Sequence, residues 1–540
     1  MPESGTAMTE GRYRWWQEGI VYQAYARSFV DADGDGVGDL AGIASRLDYP
    51  AWLGVNAIWI TPFFPSPMVD GGYDVADYTD VDPLLGSLED FDRVVSAAHA
   101  RGLRVILDLV PNHTSDRHPW FVESRASRDN PRRDWYLWRD PPAGGGPPNN
   151  WISEFGGPAW TLDHGTGQYY YHAFASAQPD LNWRNPQVRR AIYDAMRFWL
   201  DRGVDGYRVD VLWHLVKDET WRDNPPNPDY AEGRDNPSRR LLQAYSADQP
   251  EVHDIVAEMR AVLDEYDDRV LIGEIYLPVD RLVTYYGREG RGAHLPFNFH
   301  LILAPWDARA IEAVIDSYEG ALPADAWPNW VLGNHDLPRV ASRIGDAQAR
   351  VAVVLLLTLR GTPTLYYGDE LGLRDVEIPE ALVQDVRGAN QPGRGLSRDP
   401  VRSPMPWDSS PGAGFSTGVP WLPFGEWNRA HSVAAQRDDP GSMLSLHRRL
   451  IALRHAEHAL SVGSYRPVPA QGSVLAYRRQ HGRRELLVCL NLASSPGRLR
   501  LPEDVRSGRV VLSAANTPPG TEYRENVVLA GDEALVLEPL

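Results

Sequence analysis

Three carboxylates stand at or near the ends of three apolar runs. Asp210 closes GYRVD (206–210), Glu274 lies near the end of RVLIGEI (269–275), and Asp336 closes NWVLGNHD (329–336). If these runs are parallel strands of one sheet, the acids meet over one edge of it. Converging carboxylates suit two chemistries. One is metal binding, for which no cluster of histidines is present to help. The other is glycosidic bond cleavage, in which a nucleophilic carboxylate and a protonated carboxyl lie ~5–5.5 Å apart in the retaining case. That chemistry needs one acid kept protonated and the other ionised. Arg208 precedes Asp210 by two residues, so on a strand both face the same way. A guanidinium there favours the charged carboxylate.

The elements that must position these acids alternate. Strand patterns occur in GIVYQAY (19–25), NAIWITP (56–62), RVILDLVPNH (104–113), GYRVD, RVLIGEI, LPFNFHL (295–301), NWVLGNHD and GTPTLYYGDE (361–370). Helical patterns separate most of them: SLEDFDRVVSAAHARG (87–102), NPQVRRAIYDAMRFWLDRG (185–203) and DAQARVAVVLLLTLRG (346–361). Eight strands in β-then-α order read as an α/β protein with a (β/α)8 TIM barrel. A doubly wound sheet is the alternative, but no G-x-G-x-x-G follows the first strand. Residues 114–182 break the rhythm. They are rich in Trp, Gly, Pro and Asn (PPAGGGPPNNW, 141–151) and too long for a loop, so an inserted subdomain after strand 3 is expected. The barrel then comprises 1–113 and 183–459. Over 460–540 the runs SVLAYRRQ, RELLVCLNLA, GRLRLP, GRVVLSA and EALVLEPL predict a C-terminal antiparallel β-sandwich.

The bulk numbers narrow the partners. Net charge is −19, and Lys217 is the only lysine among 54 basic residues. With no basic cluster, neither nucleic acid nor an anionic membrane is an expected partner. Cys489 is the only cysteine, which excludes an intrachain disulfide. The N-terminal MPESGTAMTEGRYRWW has no apolar core for a secretory signal. No run approaches the ~18 apolar residues of a membrane span. The expected location is cytoplasmic, as a monomer or homodimer.

DADGDGVGDLAGI (31–43) resembles the start of an EF-hand loop at Asp31, Asp33, Asp35 and Gly36, but its twelfth position is Gly42 and it follows a strand. Oxygens at alternating positions still suit a hard cation. Asp31, Asp33, Asp35, the Val37 carbonyl and Asp39 are the expected ligands of one structural Ca²⁺, with Mg²⁺ the alternative. No organic cofactor is expected.

Seven segments in order carry a resemblance to the α-amylase family, glycoside hydrolase family 13: GVNAIWITP (54–62), DLVPNH (108–113), QPDLN (178–182), GYRVD, GEIY (273–276), NHD (334–336) and GTPTLYYGDE. The resemblance implies Asp210 as nucleophile, Glu274 as acid/base and Asp336 as transition-state stabiliser. It implies that Arg208 orients Asp210, and that His113 and His335 hydrogen-bond the sugar in subsite −1. Calcium loops after the first barrel strand also recur in the resembled branch.

QPDLN, VDGGYD (69–74) and VRSPMPWD (401–408) resemble the oligo-1,6-glucosidase-like branch. By that resemblance Asp70 and Arg402 bind the terminal glucose, Tyr73 stacks under it, and Phe155 and Phe174 wall the pocket. Val211, after the nucleophile, is a linkage-associated position in this branch, and the stretch 213–230 shapes the +1 side. Trp213 stands where many family members have lysine. The expected activity is a retaining exo-α-glucosidase on short α-glucosides, with transglucosylation as a side reaction. The alternatives are an oligo-1,6-glucosidase, a sucrose- or trehalose-active hydrolase, a dedicated α-glucosyl transferase and, remotely, a non-catalytic transporter subunit.

Overall fold

The computed structural model describes residues 13–515 and 517–540. Residues 1–12, part of the stretch read as lacking a secretory signal, lie outside them. All eight expected barrel strands form: β1 (Val21–Ala24), β2 (Ala57–Ile60), β3 (Arg104–Leu109), β4 (Gly206–Val209), β5 (Val270–Ile275), β6 (Leu295–Asn298), β7 (Asn329–Val331) and β8 (Thr362–Tyr366). Their pairings are all parallel, in the spatial order β7-β8-β1-β2-β3-β4-β5-β6. That is sequence order around a near-closed barrel. Among the described residues no backbone ladder joins β6 to β7. The Asn329 side chain bridges the gap, accepting from the Asn298 N–H at 2.9 Å and donating to the Pro296 carbonyl at 2.6 Å. Pro296 has no N–H to give a ladder, and an amide side chain supplies both donor and acceptor.

The period of two explains how the site is built. Inward positions near the strand starts are apolar: Val21, Ala57, Ile106, Val270 and Leu295 pack together inside the barrel. Two or four residues further on, the same face carries Gln23, Asp108, Arg208 and Glu274, all buried. Outward residues such as Tyr22, Ile58, Val105, Tyr207 and Leu271 pack under the helices.

The helix patterns hold with trimmed ends. Leu88–Ala100 begins at a reciprocal cap between Ser87 and Asp90, buries Phe91, Val94, Val95 and Ala98, and is followed by Gly102 at φ 74°. The other two helices are Pro186–Asp201, capped by Asn185, and Asp346–Thr358.

Between β3 and β4, the chain forms the helix Pro119–Ala126 and a three-stranded antiparallel sheet of Trp138–Arg139, Trp160–Asp163 and Gln168–Tyr171. Trp151, Trp160 and Tyr171 supply its core. Lys217 is fully buried and salt-bridged to Asp180, and it donates to Asn112 Oδ1 at 2.8 Å. The only lysine therefore clamps the end of this segment to the barrel.

At the C-terminus, a six-stranded antiparallel sheet packs with a two-stranded one. The strands Ser464–Gln471, Glu522–Arg524 and Asn526–Leu529 escaped the sequence reading. Ser464–Gln471 contains Pro467 and Pro469 and is an edge strand, the place where proline is tolerated. Cys489 is buried within the six-stranded sheet. No helix among the described residues is long and apolar enough to cross a membrane.

Candidate active site

Arg208, on β4, is the hub of the barrel mouth. It is 1 % exposed. Its Nη1 lies 2.8 Å from Asp108 Oδ1 and 2.7 Å from Asp210 Oδ1, and its Nη2 lies 2.7 Å from Glu274 Oε2. One planar cation thus collects carboxylates from β3, the end of β4, and β5. Asp108 is further held by the Trp59 indole N–H at 3.1 Å and the Tyr73 hydroxyl at 2.9 Å. Burial pushes the Asp210 and Glu274 carboxyls above their ordinary range, and for Asp210 the Glu274 charge adds to it while Arg208 opposes it. Two buried carboxyls this close do not both ionise readily, so they titrate as a pair.

Asp336 is different. Burial would raise it, but the guanidiniums of Arg398, Arg402 and Arg208, with the His335 ring beside it, hold it well below the usual carboxylate range. Arg398 Nη1 is 3.3 Å and Arg402 Nη2 3.2 Å from Asp336 Oδ1. The turn that presents it is fixed by Asn334 Oδ1, which accepts from the Asp336 and Leu337 amides. His335 stacks on Tyr73 with ring centroids 5.3 Å apart and planes at 6°, and its Nδ1 meets Gln23 Nε2 at 2.8 Å. Burial lowers the pKa of both His335 and His113, which keeps the imidazoles neutral.

These groups line a cavity of about 620 Å³. Asp70, Tyr73, His113, Asp210, Glu274, His335 and Asp336 all line it. Phe155 and Phe174 stand on one wall, their rings 5.5 Å apart at 64°. Arg402 is misplaced. Its Nε donates to the His335 carbonyl at 3.0 Å behind Asp336, and it does not line the cavity. The partner of Asp70 is Arg398, four residues earlier, whose Nη2 is salt-bridged to both Asp70 and Asp385. The short helix Asp399–Arg402 places Arg398 at the cavity and turns Arg402 to its back.

Comparison with known proteins agrees with this geometry. Residues 23–463 match the family described as "Alpha amylase, catalytic domain". The chain belongs to the α-amylase family. It is 42% identical over 518 residues to a probable alpha-glucosidase of Rhizobium meliloti (strain 1021), covering 93% of this chain and 94% of the relative. It is 38% identical over 530 residues to the oligo-1,6-glucosidase of Heyndrickxia coagulans, covering 91% and 94%. The crystal structure of the alpha-glucosyl transfer enzyme XgtA superposes with a TM-score of 0.93 at 40% identity, covering 98% of this chain and 100% of that one.

In this α-amylase-family chain, Val211 has a conformation unusual for a β-branched residue. At φ 37° and ψ 47° it is left-handed, which costs about 1–2 kcal/mol. The bend turns its N–H onto Glu274 Oε2 at 2.8 Å while its side chain faces the cavity. The cavity wall extends beyond the 213–230 stretch expected to shape the +1 side. Trp213, His214 and Asn227 line the cavity, and so do Ser238 to Ala244, apart from Arg240, and then Ala247 and Asp248. Sequence reasoning also passed over Asp108 and Gln178. Gln178 Nε2 donates to Asp70 Oδ2 at 3.0 Å, and both residues lie in motifs already noted.

The 31–43 loop gathers three of its four expected carboxylates. Oxygens of Asp31, Asp33 and Asp39 lie within 4.8 Å of one another. Asp35 does not join them; its Oδ1 accepts from the Val37 amide at 2.7 Å and the side chain is exposed. Burial would raise Asp31, but hydrogen bonds from Ser416 and from the Gly34 and Gly36 amides hold it low. Burial raises Asp39. Three like charges on oxygen donors, with no cation paired to them among the described residues, fit a hard cation.

Proposed function

We propose that this glycoside hydrolase is a retaining, exo-acting α-glucosidase that releases α-glucose from the non-reducing end of short α-glucosides. The observation that carries this reading is Arg398. Its guanidinium, on the cavity wall, spans from Asp70 to Asp336. A terminal sugar seated against that pair has its hydroxyls bound by charge and no path for a further unit, so cleavage removes one residue at a time.

Asp210 attacks the anomeric carbon while Glu274 protonates the departing glycosidic oxygen. Water, activated by the same Glu274, then opens the glucosyl-enzyme ester. A sugar hydroxyl in place of water gives transglucosylation. Adjacent nitrogens of one guanidinium hold the two carboxyls side by side, which supports retention over the ~6.5–9.5 Å spacing of inverting pairs. Asp336, kept ionised, suits the developing positive charge and the sugar hydroxyls. The neutral His113 and His335 add hydrogen-bonding edges.

The test is glucose release from maltose, isomaltose, sucrose and trehalose, side by side, with Asp210→Asn as the blank. Maltose is expected to be cleaved. Isomaltose well above maltose would make the chain an oligo-1,6-glucosidase. Four flat results with active acids would favour a strict α-glucosyl transferase and overturn the hydrolytic reading.

We further propose that Asp31, Asp33 and Asp39, with the Val37 carbonyl, hold one structural Ca²⁺ that fastens the first βα loop and takes no part in the chemistry. Asp35 would join by releasing the Val37 amide. The loop is tied to the segment after Arg402 by Asp31 N–H to the Phe415 carbonyl and Trp421 N–H to the Gly36 carbonyl, both 2.9 Å. Chelation is therefore expected to lower Tm, and Ca²⁺ to restore it ahead of Mg²⁺. An unchanged Tm and activity on chelation would rule the site out. A cytoplasmic place of action is the accompanying proposal, supported by the lone buried cysteine and checked by cell fractionation.

A further inference from the structure

Four arginines line the cavity, and they fall into two kinds. Arg398 is held by Asp70, Asp385 and Asp336. Arg281 is paired with Asp248 at 2.8 Å, and Asp248 also accepts from the Tyr285 hydroxyl. Arg387 and Arg239 are unlike these. Among the described residues neither has a carboxylate within 4.0 Å. Arg387 is half-buried on the helix Val386–Asn390, and its Nε has no hydrogen-bond partner. Burial and the neighbouring Arg398 lower its pKa against the opposing pull of Asp336, Glu154 and Asp385.

One acid, Glu154, faces both arginines, and burial pushes its carboxyl up. It is already engaged, accepting from Gln243 Nε2 and facing Ser238. The other acids near Arg387, Asp336 and Asp385, are engaged by Arg398, so neither Arg387 nor Arg239 has a salt bridge of its own. The acids Asp70, Asp210, Glu274 and Asp336 of the same cavity, by contrast, are each bonded to an arginine, Arg398 or Arg208. A half-buried cation without a partner is unfavourable, and guanidinium geometry matches planar or tetrahedral oxyanions.

We propose that Arg387 and Arg239 form an anion-binding acceptor subsite, so that the preferred aglycone or glucosyl acceptor carries a carboxylate or a phosphate. The proposal rests on the α-glucosidase reading and names the substrate class within it. The donor glucose sits against the catalytic acids, and the oxyanion against Arg387 and Arg239.

The test compares 4-carboxyphenyl and 4-phosphonophenyl α-glucosides with the neutral 4-carbamoylphenyl α-glucoside. It is run at about 0.15 M ionic strength, where charges more than ~8 Å away are screened and the net charge of −19 contributes little. The quantity read is the anionic-to-neutral ratio of kcat/KM, compared between wild type and variants so that intrinsic leaving-group reactivity cancels. Arg387→Gln is expected to lower that ratio about tenfold, and Arg387→Glu to lower it further. Arg239→Gln, at an exposed position, is expected to lower it in the same direction and stands in where Arg387 variants fold poorly. A fall for both anions supports a general oxyanion subsite, and a fall for the phosphonate alone assigns a phosphate-bearing aglycone. Ratios within about two-fold of wild type in Arg387→Gln and Arg239→Gln overturn the proposal and leave the glucosidase reading intact. No cleavage of any of the three glucosides overturns both.

Discussion

Asp210→Asn is expected to lower kcat at least about 10⁴-fold on every substrate the enzyme accepts, with the fold intact. The amide cannot form the glycosyl ester, and no other carboxyl occupies its place. Asp108 is turned to Arg208, Trp59 and Tyr73, and Glu274 is held by Arg208 and the Val211 amide. The carboxamide oxygen of the variant can still accept from Arg208, so the hub keeps most of its bonds. Stability has a definite sign. Burial raises the Asp210 pKa in the folded state, so its contribution is full below the unfolded carboxyl range, near 3.9, and is lost as pH rises through the folded value. Asparagine has no such loss. The Tm of the variant relative to wild type is therefore expected to climb from pH 5 to pH 8. Kinetics of glucose release and thermal melts at both pH values check this. Substantial residual turnover would remove Asp210 from the nucleophile role.

The barrel was legible because its strands announce themselves twice, as apolar runs and as runs ending in chemistry. Asp210 and Asp336 close such runs and Glu274 falls one residue short, and parallel strands bring their ends together whatever lies between. Arg208 was legible for the same reason, since parity alone places it beside Asp210. What was not legible is anything set by how loops cross the barrel mouth. Arg398 and Arg402 are both arginines in one short stretch. Only the turn of Asp399–Arg402 decides which faces Asp70 and which backs Asp336. The edge strand Ser464–Gln471 was hidden by its prolines, and Asp35 by a backbone amide that competes for its oxygen. Arg387 and Arg239 lie in segments with no motif, and only their position on the cavity wall distinguishes them from the other arginines.

Arg208→Ala is the variant expected to damage both activity and stability. In the wild type one guanidinium meets three buried carboxylates, each within 2.8 Å. Removing one partner of a buried ionic cluster costs about 3–5 kcal/mol, because the charges left behind are neither paired nor hydrated. The carboxyls respond by keeping their protons. Burial already lifts Asp108 to about 6 with Arg208 pulling it down, so without Arg208 it moves higher, and Asp210 and Glu274 move with it. These are raised folded-state values, so the loss of stability grows as pH rises through and above 6. Near pH 4–5, where the trio is protonated, the deficit is expected to shrink. The same shift removes the ionised nucleophile, so kcat/KM falls and its acidic limb moves to higher pH. Arg208→Lys supplies charge without the fork that reaches three carboxyls, and it is expected to recover part of the stability and little of the rate. Melting curves from pH 4.5 to 8.5 beside kcat/KM profiles test both arms. A pH-independent Tm deficit would mean that Arg208 acts by packing against Trp59, over whose ring it lies at 5.0 Å, and not by holding the acids ionised.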